Sequence, residues 1–155
     1  ISRRDNVGVN PMYDDILVPT DGGEGMDAVI ERAVDMAVQR GATVHALSVI
    51  DSEVFLTLDE ELTDAVEGEL EMNASRAVGR VTDIADDAGV ESEATVRRGR
   101  PGEEIRRYAA EIEADLLVRG PRRKAGHERR MLGSVAQDVV AEAAQPTLVV
   151  PLGST

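Results

Sequence analysis

Residues 119–134 combine three features that suit the binding of a phosphate group: glycines, basic side chains and a hydroxyl. Gly120 and Gly133 stand near its two ends, and Ser134 follows at the start of a helical pattern. Such a loop points unpaired backbone N–H groups at an anion, and the helix dipole assists it. Seven basic side chains, counting His127, lie in its first twelve residues. The alternative is a solvated loop whose arginines pair with nearby acids.

A second polar segment, Thr20-Asp21-Gly22-Gly23, follows a short apolar run that ends at Pro19. The two glycines permit a tight turn, and Asp21 can accept hydrogen bonds from the hydroxyl groups of a ribose or from a base. Polar residues of this kind are also common in turns and helix caps. The pattern alone leaves both roles open.

Short apolar runs that favour strands alternate with helical patterns, and this alternation positions both segments. We predict strands over 15–19, 42–50, 93–97, 116–118 and 147–150, with helices over about 26–40, 58–88 and 101–112 and from about residue 134. Apolar strands joined by helices indicate a parallel sheet covered on both faces, which is a doubly wound α/β fold of five strands. Ligands of such sheets bind beyond the carboxyl ends of the strands, where both polar segments lie.

The composition excludes several classes of function. Thirty acidic residues against 17 Lys and Arg give a net charge of −13, which opposes the binding of DNA or RNA. The chain has no cysteine, which excludes disulfides, Cys-ligated metals and thiolate nucleophiles. No apolar run reaches the roughly 20 residues that a membrane-spanning helix needs. We therefore expect a cytoplasmic protein. We also predict no metal site, because His45 is expected to be a packed residue of the second strand and His127 has no nearby Cys or second His.

Four stretches of the chain resemble the universal stress protein (UspA-like) family. They are YDDILVPTDG (13–22), LSVID (47–51), the Gly120…Gly133-Ser134-Val135 segment and PTLVVP (146–151). The resemblance spans nearly all of residues 12–152. It implies a Rossmann-like fold of the adenine nucleotide alpha hydrolase type with strand order 3-2-1-4-5. It also implies a dimeric module that responds to ATP and is at most a slow ATPase.

The nucleotide-binding signature of that family is a glycine, two residues, a second glycine, nine residues, and then a glycine followed by Ser or Thr. Gly120 fits the first position, and Gly133 and Ser134 fit the last two. Arg123 stands at the second glycine position, where glycine lets the backbone approach the phosphates. Arg119 stands where the family has an apolar residue that packs against the base.

The resemblance also implies roles for individual residues. Asp21 is expected at the ribose, Pro19 and the Val49 backbone near the adenine, and Ser134 and Val135 at the phosphates. The remaining members of the candidate cofactor site are Thr20, Arg119, Gly120, Arg123 and Gly133. The implied cofactor is ATP, with Mg²⁺.

Two other functions stay open. A universal stress protein that does not bind ATP acts as a dimeric interaction scaffold, and Arg123 favours this alternative. An adenylate-handling enzyme related to nucleotidyl transferases would need a catalytic motif, which the sequence does not show.

The resemblance further implies a homodimer through the fifth strand, with Thr147, Leu148, Val149 and Val150 at the interface. An apolar strand at the edge of a sheet invites pairing with its copy in a second subunit. We expect one domain over residues 12–152. Residues 1–11 are expected to be a flexible extension or a cloning remnant, and 153–155 a tail.

The acid excess, the single lysine (Lys124) and the 2% aromatic content resemble the composition of proteins from halophilic archaea. In molar salt the Debye length falls to about 3 Å, so surface carboxylates repel one another little. We therefore expect the protein to lose structure when it is dialysed to low salt. An equal melting temperature in dilute buffer and in molar KCl would contradict this expectation.

Overall fold

The computed structural model describes residues 14–121 and 145–153. Its strands are β1 (Asp15–Pro19), β2 (Thr43–Asp51), β3 (Ser92–Gly99), β4 (Leu116–Arg119) and β5 (Thr147–Val149). Its helices are α1 (Met26–Arg40), α2 (Glu60–Asp87) and α3 (Pro101–Glu111), and a short 3-10 helix, Ser52–Phe55, follows β2. The helix predicted from about residue 134 lies outside the described residues.

All five strands are parallel and follow the order β3-β2-β1-β4-β5, which confirms the predicted doubly wound sheet. The chain adds β2 and β3 on one side of β1 and then crosses over to add β4 and β5 on the other side. Strand ends differ from the prediction by one or two residues. β3 is longer than predicted because it pairs with β2 along its whole length.

Helices cover both faces of the sheet. Ile16 of β1 belongs to a core cluster with Val29 of α1 and Val81 of α2. Leu17, the next residue, belongs to a second cluster with Tyr108 of α3. Because successive side chains of a strand point to opposite faces, β1 contributes to both cores. The chain therefore places α1 and α2 on one face and α3 on the other.

The second half of α2 covers the sheet, whereas the first half extends past it. The buried residues of α2 all lie in the second half: Ala74, Ala77, Val78, Val81 and Ala85. The predicted apolar stripe through Leu62, Val66 and Leu70 continues the same face, but Leu62 is 52% exposed. Glu67 already pairs with Arg98 near the end of β3, so the residues before Glu67 lie beyond that end. None of the described helices is long and apolar enough to cross a membrane.

The last described residues dock on the start of α1. The Gly153 N–H donates a hydrogen bond to the Gly25 carbonyl oxygen (3.0 Å), and the Val150 N–H donates one to the Arg119 carbonyl oxygen (2.8 Å). Gly25 precedes α1 with a left-handed backbone (φ 82°), and a Cβ there would lie 2.8 Å from both the Gly153 oxygen and the Leu152 Cβ. These hydrogen bonds join the residues after β5 to the start of α1 and to the end of β4.

We expect Gly25→Ala to destabilise the protein more than Gly41→Ala, its matched control at the other end of α1. Gly41 is also left-handed (φ 68°), but a Cβ there would meet nothing within 4 Å. Gly41→Ala should therefore lower the free energy of unfolding only by the cost of the left-handed backbone, roughly 1–2 kcal/mol. Overlap with the docked C-terminal residues should cost Gly25→Ala about 1–3 kcal/mol more. Urea unfolding in molar KCl measures both, and equal losses would contradict the docking.

Candidate functional site

The turn after β1 is shaped by two side chains that accept hydrogen bonds from the backbone. Thr20 Oγ1 accepts from the Gly22 N–H (3.0 Å), and Asp21 Oδ1 accepts from the Gly23 N–H (2.8 Å). The Thr20 N–H donates to the Leu47 carbonyl oxygen (2.8 Å), which extends the pairing of β1 with β2 by one residue. Asp21 is exposed. The turn therefore holds the Asp21 carboxylate in a fixed direction at the carboxyl edge of the sheet.

This turn lies directly against α2. Gly22 has a left-handed backbone (φ 74°), and a Cβ on it would stand 3.0 Å from the Ala77 Cβ. The sequence predicts the glycine as part of a tight turn, and the contact adds a packing reason for it.

An open cavity of about 420 Å³ lies between the turn, α1 and α2. It is lined by the turn residues Thr20, Asp21, Gly22 and Gly23, by the apolar Met26, Ile30 and Ala77, and by the polar Asp27, Asn73, Arg76 and Arg80. Sequence reasoning included the turn but missed the helix residues. One signal for them existed, because Arg76 and Arg80 are the only basic residues of α2 and stand four residues apart on one face.

A bidentate ion pair ties the two helices together at the cavity. Arg80 donates from Nε to Asp27 Oδ1 (3.1 Å) and from Nη2 to Asp27 Oδ2 (2.7 Å). These hydrogen bonds hold the pKa of Asp27 below its ordinary value, and they raise the pKa of Arg80. Arg76 makes no ion pair within residues 14–121 and 145–153, and its Nη2 lies 3.4 Å from the Met72 sulfur.

Val49, Arg119 and Gly120 lie at the same edge of the sheet but do not line this cavity. The side chain of Val49 packs against the core cluster on the α3 face. The register of β1 and β2 places Val49 two residues beyond the partner of Pro19, level with Asp21. Arg119 is half-buried, and its Nε donates to the Gly120 carbonyl oxygen (3.2 Å).

Gly120 has a packing role that needs no ligand. A Cβ on Gly120 would lie 3.1 Å from Leu152 Cδ2, 3.5 Å from Val29 Cγ2 and 3.6 Å from the Met26 sulfur. The first glycine of the sequence motif therefore lets the end of β4 pack closely against α1 and the docked C-terminal residues.

The structure thus brings six predicted site residues to one edge: Pro19, Thr20, Asp21, Val49, Arg119 and Gly120. The other four, Arg123, Gly133, Ser134 and Val135, lie outside the described residues. In the part of the chain that the structure describes, no group of three or more His, Asp or Glu is arranged to hold a metal ion. His45 is buried within β2, and its Nε2 lies 2.9 Å from Asp15 Oδ1.

Comparison with known proteins places the chain among its relatives. The model of the universal stress protein family matches residues 12–151. A universal stress protein of Methanocaldococcus jannaschii is 34% identical over 140 residues, which cover 90% of this chain and 82% of that protein.

Two solved structures have the same fold. The hypothetical protein MJ0577 matches with a TM-score of 0.76 and 26% identity, over 93% of this chain and 99% of its own. The universal stress protein from Archaeoglobus fulgidus, solved in complex with dAMP, matches with a TM-score of 0.65 and 24% identity, over 89% and 98%.

The ion pair at the cavity predicts a specific acid titration. Because the pKa of Asp27 is lowered in the folded state, the pair stabilises the protein above the ordinary pKa of an aspartate. This contribution disappears as the pH falls through the lowered pKa. An NMR titration of the Asp27 carboxyl carbon at moderate salt should report the lowered value, and Arg80→Gln should return it to the ordinary range. Arg76→Gln is the matched control; an equal shift there would contradict the assignment.

Proposed function

Because the chain belongs to the universal stress protein family, we propose that it binds an adenine nucleotide at the carboxyl edge of the sheet. We propose further that it acts as a nucleotide-responsive regulatory module in stress response rather than as a fast enzyme. One observation carries the proposal: Asp21, Val49 and Gly120 all lie at the carboxyl ends of the strands. They lie around the point between β1 and β4 from which the later strands are added in opposite directions. Open α/β sheets bind their ligands at such a point.

The backbone of Val49 offers recognition groups for the adenine. Residues two apart in a strand direct their backbone groups to the same side, and the Leu47 carbonyl oxygen is bonded to the Thr20 N–H. The Val49 N–H and C=O therefore point toward the space that β1 leaves when it turns away. Among the described residues, no backbone hydrogen bond joins Val49 to the turn. A donor and an acceptor side by side suit the edge of an adenine.

Asp21 is suited to the ribose. One of its oxygens is engaged by the Gly23 N–H, so the carboxylate is oriented before any ligand arrives. A carboxylate can accept hydrogen bonds from two neighbouring hydroxyl groups. The complex of the Archaeoglobus fulgidus protein with dAMP supports an adenine nucleotide as the ligand class.

More specifically, we propose that the adenine nucleotide is ATP with Mg²⁺. Gly133, Ser134 and Val135 would then receive the phosphates, and the basic residues of the segment that follows β4 would attract them. The second candidate function is an interaction scaffold without ATP, and the observation that favours it is Arg123 at the second glycine position of the motif.

A calorimetric titration with ATP and Mg²⁺ in molar KCl tests the proposal. We expect saturation below millimolar ATP, and we expect Asp21→Ala to weaken binding about tenfold or more, because hydrogen bonds to a charged group contribute about 1.5–3 kcal/mol. Asp35→Ala, which removes an exposed carboxylate of α1, is the matched control and should leave the affinity unchanged. Circular dichroism checks that each variant is folded.

No binding of ATP or dAMP at millimolar concentration by the folded protein would contradict the nucleotide proposal. Binding that appears only in Arg123→Gly would then favour the scaffold and identify that side chain as the cause.

We also propose a homodimer through β5, with Thr147, Leu148, Val149 and Val150 at the interface. In the described residues β5 pairs only with β4, and Val149 is 48% exposed. The opposite edge, β3, carries charged side chains that oppose strand pairing, including Arg97 and Arg98. The apolar edge is therefore the one that favours a second copy.

We expect Val149→Lys to produce monomers in light scattering, because a lysine on an edge strand opposes its pairing with another strand. The matched control is Val96→Lys on β3, where Val96 is 37% exposed; this variant should remain a dimer. A dimer that survives Val149→Lys, or dissociates in Val96→Lys, would refute the β5 interface.

A cytoplasmic location and an origin in a halophilic archaeon belong to the same proposal. The support for the halophilic origin is compositional: sixteen arginines against one lysine, and thirty acidic residues. The dependence of the melting temperature on KCl tests the halophilic part.

A further inference from the structure

The negative charge of this chain is concentrated in one short part of it. Residues 51–72, here named the acidic segment, contain nine Asp and Glu and no Lys, Arg or His. The other 133 residues contain 21 acids and 17 Lys and Arg. A uniform acidic shell, the adaptation to salt that the composition resembles, does not account for this distribution.

The acidic segment also exposes apolar side chains. Seven large apolar side chains are exposed among the described residues, and four of them belong to this segment: Val54 (43%), Leu56 (79%), Leu62 (52%) and Met72 (54%). Leu62 lies on the part of α2 that extends past the end of β3. Isolated exposed apolar residues are ordinary, but four of them within 22 residues are not, and interaction surfaces commonly expose such side chains.

The acidic segment is held in place on the body of the protein. Asp59 Oδ1 accepts a hydrogen bond from the Leu62 N–H (2.8 Å) and so caps α2. Arg98, near the end of β3, donates to Glu67 Oε2 (2.8 Å), and its guanidinium lies 4.1 Å from the centroid of the Phe55 ring. A surface that is already ordered loses little conformational entropy when a partner binds.

Most of the acids in this segment have no positive partner. Glu60, Glu61, Asp64, Glu69 and Glu71 make no ion pair with any residue that the structure describes. Like charges three or four residues apart on a helix destabilise it by a few tenths of a kcal/mol per pair. A positively charged partner would remove this repulsion while it covers the apolar side chains.

We propose that the acidic segment is a docking surface for a basic amphipathic helix of a partner protein. The apolar side chains would receive the apolar face of that helix. The helical repeat of α2 places Glu61 and Glu69 on the same side as Leu62 and Met72, so these two carboxylates would receive its Lys and Arg. Nucleic acid and anionic lipid carry the wrong charge for this surface. A second copy of the acidic segment would be repelled, because nine acidic residues would face nine others.

A synthetic peptide of about 18 residues, long enough to form a helix, tests the proposal. Leucines form one face, lysines the other, and fluorescence anisotropy reports its binding to the full chain without nucleotide. The titration uses the lowest KCl concentration at which circular dichroism shows the protein folded. We expect a micromolar Kd. A scrambled peptide of the same composition should bind at least about tenfold more weakly, and a peptide with Glu in place of Lys should not bind.

Variants of the chain locate the surface. Leu56→Ser with Leu62→Ser should weaken binding of the Lys/Leu peptide by about tenfold or more, because each leucine loses burial in the complex. Val38→Ser is the matched control, since Val38 is 55% exposed on α1 outside the segment, and it should leave the affinity unchanged. Glu61→Gln with Glu69→Gln should weaken binding and reduce its dependence on salt.

Several outcomes would overturn the proposal. Equal affinity for the scrambled peptide would mean that the peptide binds only by nonspecific charge attraction. Absence of binding would refute the docking surface. Loss of self-association in Leu62→Ser would assign the surface to a second copy. Tighter peptide binding after the basic residues of 122–124 are changed to Gln would mean that these residues of the same chain compete with the peptide for the acidic segment. None of these results depends on nucleotide binding.

Discussion

The central strand of a fully parallel sheet is the constraint on which the rest of the structure depends. β1 hydrogen-bonds to a neighbour on each side, and its Ile16, Leu17 and Val18 are fully buried, so both faces of the sheet must be covered by helices. The chain meets this requirement by sending α1 and α2 to one face and α3 to the other. The strand order places β2, which follows β1 along the chain, on one side of β1, and β5, which follows β4, on the other side. The strands that follow β1 and β4 therefore diverge between β1 and β4. The candidate site therefore follows from topology first and from side chains second.

The strands and helix ends were predictable because their signals are local. Buried parallel strands are continuous apolar runs, and Gly41 ends α1 where the sequence predicts it. The docking of Gly153 on Gly25 was not predictable, because it joins residues far apart in the chain that share no periodic pattern. The exposure of Leu62 was not predictable either. Helical periodicity shows which face of a helix is apolar, but it does not show whether a sheet lies beneath that face.

The candidate site could be predicted only in part for the same reason. Asp21 was identifiable because it follows a strand, and the structure adds that its carboxylate also closes the turn. Arg80 was missed because its partner, Asp27, belongs to another helix. The net charge of −13 likewise does not show that opposite charges lie in different parts of the chain. One basic segment follows β4, and the acidic segment precedes α2 and continues into its first turns. Both segments follow strands of the same sheet along the chain, and the two proposals made above assign a different kind of partner to each.

The central claim is that an adenine nucleotide binds where β1 and β4 lead away from each other. Amide chemical shifts of the isotope-labelled protein, followed during titration with ATP and Mg²⁺ in molar KCl, test it most directly. The account predicts that the amides of Asp21, Val49 and Gly120 shift together along one saturating curve. Shifts confined to Ala77 and Arg80, on the cavity between the helices, would place the ligand elsewhere. The absence of any shift at saturating nucleotide would contradict the claim altogether.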